Sequence, residues 1–275
     1  EVEKSIAVLP FKNDSPDSTN VYLINGLMES TITNLQKIKD LRVISRTSAE
    51  KYRFTSKSIP EMANELNVRY FVEGSGQKVG NKILLTIQLI DGKTDNNLWS
   101  NQYQSEISDI FQLQQDVARS IANEIKAIIT PQEIQQIRKK VTDNLKAFDL
   151  YLKGIDVAST EQNEDRLKGI EYFRQAIKED PEFASAYAHI AFNYYEIDLY
   201  MADKKYTDEV SMYADKALLY DSKLGESLVA KALSLIQKKE YEEALPYLEK
   251  AYEYNPGSAE IVGLLTDHYA HYVLN

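Results

Sequence analysis

The stretch that decides the fold of the second half of the chain is AIKEDPEFASAYAHIAFNYY, residues 176–195. It predicts a helix that ends at Asp180 and a second helix that begins directly after Pro181, because proline ends one helix and is tolerated at the start of the next. Alanines recur at 184, 186, 188 and 191, with bulky residues between them. Small residues let helix backbones approach, and large apolar residues fill the adjacent holes. The stretch therefore predicts a helical hairpin built for packing.

The same small-and-large pattern recurs in segments 167–181, 210–222 and 241–256. The anchors are Gly169, Phe173, Ala176 and Pro181, then Val210, Ala214, Ala217 and Ser222, then Ala244, Leu248, Ala251 and Pro256. A period near 34 with paired helices is typical of tetratricopeptide (TPR) repeats. We expect an all-α TPR solenoid over residues 145–275, with about three repeats and the first helix of a fourth. Insertions around 157–165 and 197–208 lengthen two loops.

The helical register predicts a concave face on the first helices of the repeats, which in a solenoid presents a binding surface. The residues predicted to line this face are Phe148, Tyr151, Ser185, Ala188, Phe192, Tyr195, Val229, Leu233 and Ile236. A peptide, a protein or a small molecule could occupy it. The alternative is that each of these side chains only packs neighbouring helices together.

The first half of the chain mixes strands and helices. VRYFVEGSGQKV (68–79), Gly80-Asn81 and KILLTIQLID (82–91) predict a β-hairpin, because apolar residues alternate in the second strand around a turn dipeptide. NNLWSNQYQ (96–104) predicts a third adjacent strand, and residues 109–129 predict a long amphipathic helix. These elements indicate an α+β or α/β domain with a mostly antiparallel sheet.

Three glycines, at 74, 76 and 80, invite a comparison with phosphate-binding loops. No helix N-terminus follows them to receive a phosphate, so a nucleotide site is disfavoured. A β-bulge and a hairpin turn are the better interpretation.

The segments KSIAVLPFKND, INGLMESTITNL, LRVISRTS, VRYFVEGSGQKVGNKILLTIQLIDGKTDNNLWSNQY and DIFQLQQDVARSIA, in this order over residues 4–130, resemble the TolB-amino-terminal-like domain. The resemblance implies a small α/β module without known catalytic residues, found beside TPR arrays in bacterial signalling proteins. There it is joined to DNA-binding regulator or adenylate-cyclase domains, often across a membrane helix. The architecture also resembles the periplasmic sensor half of CadC-type membrane-anchored transcriptional regulators.

Charge and composition support two domains. Residues 1–144 carry 18 basic and 18 acidic side chains, whereas residues 145–275 carry 14 and 24. We expect domains at 1–130 and 145–275 with a helical linker at 131–144.

The acidic second half repels a phosphate backbone, so we expect no direct nucleic-acid contact. The absence of cysteine excludes disulfides and thiol catalysis.

Catalytic and metal chemistry find little support in the sequence. His268 and His271 stand three residues apart on a predicted helix, but no third ligand is evident, and a solvated helix face is the better interpretation. No gathering of ionisable groups indicates an active site. We therefore expect no enzyme, no cofactor and no resident metal.

Two functions stay open. The first is a sensory or regulatory module, the input half of a bacterial signalling or transcription regulator; the second is a soluble TPR scaffold. The chain starts in a strand and stops in a helical pattern, so we expect a piece of a longer protein, with any membrane contact made by a segment outside it. A periplasmic location is expected, with the cytoplasm as the alternative, and a homodimer is possible.

Overall fold

The computed structural model describes residues 4–15, 17–160 and 162–273, which fall into two compact units. The first unit extends to residue 139 and includes residues 256–260; the second consists of residues 140–255 and 261 onwards. The first unit contains β1 (Ser5–Val8), β2 (Lys12–Asn13), α1 (Val21–Gln36), β3 (Arg42–Val43), α2 (Arg46–Glu50), α3 (Ile59–Leu66), β4 (Tyr70–Val79), β5 (Lys82–Asp91), β6 (Asn97–Glu106), α4 (Ile110–Glu124) and α5 (Pro131–Arg138).

The sheet of the first unit is mixed, in the order β3-β1-β4-β5-β6, with β2 also pairing with β4. The short strands β1, β2 and β3 pair in parallel, whereas β4, β5 and β6 form a long antiparallel meander. Most paired residues are thus antiparallel. The predicted fold class, an α+β domain followed by an all-α array, is confirmed.

Local signals explain the helix ends of this unit. Ser58 and Glu61 form a capping box at the start of α3. The helix predicted over 109–129 ends earlier, at Glu124. Lys126 adopts a positive φ of 55°, and Ala127 N–H donates to the carbonyl of Ala122 at 2.8 Å, which closes the helix by a left-handed cap.

The β-bulge predicted at Gly74 and Gly76 is wrong, since β4 pairs with β5 without interruption through both residues. The irregularity lies instead between β5 and β6, where Leu89 pairs with Trp99 and Ile90 with Asn97, so that Leu98 is an extra residue in β6. A Cβ atom at Gly74 would lie 2.6 Å from the ring of Phe11. That glycine therefore makes room for a fully buried core phenylalanine. Gly80 has a φ of +59° and forms the hairpin turn, as predicted.

The second unit is a row of helix pairs. Its helices are α6 (Leu145–Ala158), α7 (Asn163–Glu179), α8 (Ala184–Asp198), α9 (Thr207–Tyr220), α10 (Gly225–Gln237), α11 (Tyr241–Tyr254) and α12 (Ala259–His268), the last continuing into a π-helical segment (Tyr269–Val273). These helices form three pairs, α6–α7, α8–α9 and α10–α11, followed by α12. Throughout the described residues, no helix combines the length and the apolar character needed to cross a membrane.

Close helix crossings depend on small residues, as the sequence predicts. A Cβ atom at Gly154 of α6 would lie 2.5 Å from the ring of Phe173 on α7, and one at Gly169 would lie 2.9 Å from the carbonyl oxygen of Gly154. At the seam between the first two pairs, the hydroxyl of Tyr187 donates to the carbonyl of Pro181 at 3.1 Å. This bond fixes the second helix against the turn that precedes it.

Candidate functional site: the apolar face of the repeat helices

The first helices of the second and later repeats present a row of half-buried apolar side chains. We define the apolar face as Phe192 and Tyr195 of α8, Leu233 and Ile236 of α10, and Leu264 of α12. Each pair within a helix is spaced by three residues, so its members lie on the same side. The helices α8 and α10 pack directly against each other.

A buried layer supports the apolar face. Phe192, Leu233 and Leu264 pack against a core cluster of Leu228, Val229, Ala251 and Ile261, and Ile236 packs with Leu264 against a second cluster built on Leu248. Because the bases of these side chains are held by a core while their outer surfaces remain accessible, the face is rigid and apolar. Such a surface can bind the apolar side of a peptide with little ordering cost.

The nine residues predicted for the concave face divide into two groups. Phe192, Tyr195, Leu233 and Ile236 are half-buried and belong to the apolar face. The other five are buried between helices: Phe148, Tyr151, Ser185, Ala188 and Val229. For the first group, a direct binding role stays a prediction. The residues of the second group are buried as the packing alternative describes.

An aromatic cluster adjoins the apolar face at its end towards α6. The ring of Tyr151 lies 4.9 Å from that of Phe183 and 5.3 Å from the imidazole of His189. His189 also meets the ring of Phe192 edge-on at 5.4 Å. His189 is half-buried and lies one helical turn before Phe192. Sequence reasoning left it out of the face, although the same helical register would have included it.

The inserted loop between α8 and α9 is ordered by a buried carboxylate. Asp198 is fully buried and accepts hydrogen bonds from the backbone N–H groups of Lys205 at 3.0 Å and Tyr206 at 2.7 Å, and from the amide of Gln237 at 3.0 Å. The ammonium of Lys204 donates to the carbonyl of Asp198 at 2.7 Å, at the end of α8. The insertion is therefore part of the fold. The sequence indicated the insertion but not its anchor.

A second aromatic group lies where α8 packs against α9. The ring centroids of Tyr194 and Tyr206 lie 4.5 Å apart. The hydroxyl of Tyr194 accepts a hydrogen bond from the guanidinium of Arg174 at 2.7 Å. Tyr187 lies 5.3 Å from Tyr220, and burial together with this neighbouring phenol raises the pKa of Tyr187 to about 12. These four tyrosines are packing residues, and they contribute to the tyrosine enrichment of the second half.

One of the two histidines at the end of the array differs from the prediction. His268 is buried, with its ring 6.5 Å from Tyr241, so the solvated interpretation is wrong for His268. His271 is exposed. Among the described residues, no group of three or more histidine or carboxylate side chains could hold a metal ion.

Known protein families match segments in both halves of the chain. Residues 2–120 match the family model of the second domain of HilA/YgeH-like transcriptional regulators, and residues 225–258 match a tetratricopeptide repeat. A protein named putative adenylate cyclase 3, from Rhizobium meliloti (strain 1021), is 32% identical over 187 residues. That alignment covers 68% of this chain but 32% of the relative, so the chain spans about a third of the relative's length.

Solved structures resemble only part of the chain. TolB from Acinetobacter baumannii is 18% identical, with a TM-score of 0.35, over 46% of this chain and 29% of that protein. A lipoprotein from Neisseria meningitidis is 19% identical, with a TM-score of 0.34, over 44% of this chain and 97% of that protein.

Proposed function

We propose that this chain is a non-catalytic sensory or regulatory binding module, the input half of a bacterial signalling or transcription regulator. The observation that carries the proposal is the apolar face, a row of half-exposed side chains held rigidly on adjacent first helices. The match of residues 2–120 to a transcriptional-regulator domain and of residues 225–258 to a TPR repeat supports a regulatory, protein-interaction role.

The proposed ligand is a peptide or protein segment that combines apolar and basic side chains. The apolar face would bury the apolar side chains of such a segment. Residues 145–275 carry 24 acidic and 14 basic side chains, so the repeat unit has a negative potential that attracts cations. We therefore expect binding that weakens as salt concentration rises.

A peptide selection tests the role of the apolar face. Peptides selected on the full chain from a random displayed library are measured by calorimetry against the wild type and the double variant Phe192→Ser/Leu233→Ser. We expect enrichment of aliphatic, aromatic and basic residues. Affinity should fall by about tenfold or more in the double variant, because burial of one such side chain contributes about 1.5–3 kcal/mol.

The matched control is Leu219→Ser. Leu219 is an apolar side chain on α9 that is 76% exposed and lies outside the apolar face. Its loss should leave peptide affinity unchanged, and circular dichroism checks that all variants are folded. If the selected peptides bind the double variant as tightly as the wild type, the apolar face is not the binding site.

The alternative is a soluble TPR scaffold that assembles a complex without receiving a signal, which the TPR match equally favours. A scaffold co-purifies with a partner at fixed stoichiometry. A sensory module instead gains thermal stability when its ligand is added, because a ligand that binds only the folded state shifts the unfolding equilibrium.

We further propose that the chain works in the periplasm, attached to the inner membrane by a segment outside these residues. The resemblance to membrane-anchored regulators supports this location. Fusing alkaline phosphatase to the end of the full gene product tests it, since the phosphatase is active only after export. Activity of a cytoplasmic reporter in its place would support the cytoplasmic alternative.

A further inference from the structure

The last strand of the sheet, β6, has an outer edge to which no strand in the described part of the chain pairs. This strand extends over ten residues, Asn97–Glu106. The side chains of Ser100, Gln102 and Gln104 are exposed, and Leu98 is 50% exposed. A long open edge offers its backbone N–H and C=O groups to another strand.

The register identifies which backbone groups point outward. Ile107 N–H donates to the carbonyl of Asn81 at 2.9 Å, so these opposed residues form a hydrogen-bonded pair. Since such pairs alternate along an antiparallel ladder, Asn101 and Tyr103 bond to β5, whereas the backbone groups of Ser100, Gln102 and Gln104 point away from it. The geometry of Asn101 agrees, because its side-chain oxygen accepts from the outward N–H of Gln102 at 3.0 Å.

The edge has little of the usual protection against pairing over residues 99–106. Native edge strands are commonly shielded by lysine, proline, a bulge or short length. β6 contains neither lysine nor proline, and its only charged residue is Glu106 at its end. Its one bulge, at Leu98, lies near the start of the strand, and its pairing with β5 is regular from residue 99 to 106. Because the strand is almost neutral, two copies of it can pair without repulsion between like charges.

We propose that β6 is a self-association edge, at which a second copy of this chain adds its own β6 antiparallel about a two-fold axis at Asn101. In this register Ser100 lies opposite Gln102 of the other copy, so outward backbone groups meet outward backbone groups. Trp99 lies opposite Tyr103 in a non-hydrogen-bonded pair, where side chains are closest and aromatic pairs contribute. This surface is separate from the apolar face, and the proposal does not depend on ligand binding there.

The alternative registers are less favourable. If the two-fold axis lay between two residues, the outward backbone groups of one copy would lie opposite residues whose backbone groups already bond to β5. An axis at Gln102 keeps the hydrogen bonds but loses the aromatic pair, since Trp99 would lie opposite Ser105 and Tyr103 opposite Asn101. The register centred on Asn101 avoids both. One strand pair gives an interface at the small end of the range, so the dimer should depend on protein concentration.

Cysteine cross-linking tests the register, since residues 1–275 contain no cysteine. In Asn101→Cys the two thiols face each other across the axis, with Cα atoms at about 4.5 Å, a spacing that suits a disulfide. In Gln104→Cys the corresponding atoms would lie roughly 20 Å apart. We expect Asn101→Cys to oxidise to a covalent dimer and Gln104→Cys to stay monomeric. Equal cross-linking of both variants would overturn the register.

Charge substitution tests the dimer itself in the full chain. Ser100→Lys/Gln102→Lys sets like charges opposite each other across the axis, and sedimentation should show a dimer dissociation constant raised about tenfold or more. The control is Thr86→Lys/Gln88→Lys, which adds the same charges on the same sheet face one strand inward, since Thr86 pairs with Gln102 and Gln88 with Ser100. It should leave the dimer intact.

Mixing separates the edge from general effects on folding. The lysine variant combined with Ser100→Glu/Gln102→Glu should form a heterodimer, although each alone is monomeric. A wild type that remains monomeric at every concentration overturns the proposal. So does a dimer that persists in the lysine variant, because the contact would then lie on another surface.

Discussion

Replacing Gly154 with alanine should destabilise the repeat unit, although alanine is the better helix former. A Cβ atom at this position would lie 2.5 Å from Cε1 and 2.8 Å from Cδ1 of Phe173. Ordinary carbon contacts lie at about 3.5–4.0 Å, so the ring or the helix must move by roughly 1 Å. Phe173 is fully buried and contacts the rings of Tyr151 and His189, which leaves the ring little space.

The magnitude follows from two opposing effects. Overpacking a core costs about 1–3 kcal/mol, and removing a glycine from a helix recovers about 0.5–1 kcal/mol. The net loss for Gly154→Ala is then about 0–2.5 kcal/mol, which lowers the Tm of a unit of this size by up to about 10 °C.

The matched control is Gly263→Ala in α12, where an added Cβ would meet nothing within 4 Å. That variant should gain about 0.5–1 kcal/mol, because only the helix effect operates. Urea unfolding followed by tyrosine fluorescence reports mainly on the repeat unit, since 15 of the 19 tyrosines lie after residue 145. Trp99, the only tryptophan, reports on the first unit. If both alanine variants are stabilised equally, the close crossing does not constrain position 154.

Two further predictions concern buried groups of the repeat unit. Asp198→Asn leaves one acceptor oxygen where two served, so it should cost about 1–3 kcal/mol and speed hydrogen exchange in the loop over residues 199–206; unchanged exchange would mean that the loop does not need the carboxylate. Burial and the neighbouring Tyr220 raise the pKa of Tyr187 to about 12 from an ordinary value of 10. A phenol with a raised folded pKa contributes stability that is present below pH 10 and lost as pH rises towards 12. The wild type should therefore lose stability over that window more steeply than Tyr187→Phe in alkaline unfolding measurements, and equal slopes would exclude Tyr187 as the cause.

Much of the fold is encoded locally and was predictable. Hydrophobic periodicity and small-residue spacing predict the helix pairs of the second unit, and alternation around Gly80 predicts the β4–β5 hairpin. The errors fall where distant residues meet. The glycine at position 74 resembles a bulge signal in one strand, but its neighbour is Phe11, which lies 63 positions earlier in the chain.

The candidate site was predictable in part. Helical register selects the side of α8 and α10 on which the half-buried apolar side chains lie, because that side follows from 3.6 residues per turn. Register does not decide how far each side chain is covered. Tyr151 and Phe192 look equivalent in the sequence, yet Phe183 and His189 cover the first, whereas the second stays half-exposed.

By itself, the sequence determined which segments become helices and strands, which residues permit close crossings, and where the excess negative charge lies. These properties depend on neighbours within a few positions, or on composition alone. Only the tertiary structure decided which members of the predicted face remain exposed, that His268 and Asp198 are buried, and that β6 ends the sheet with an open edge. Burial and strand order depend on contacts between residues far apart in the chain, and a pattern with a period of two or 3.6 residues carries no information about those contacts.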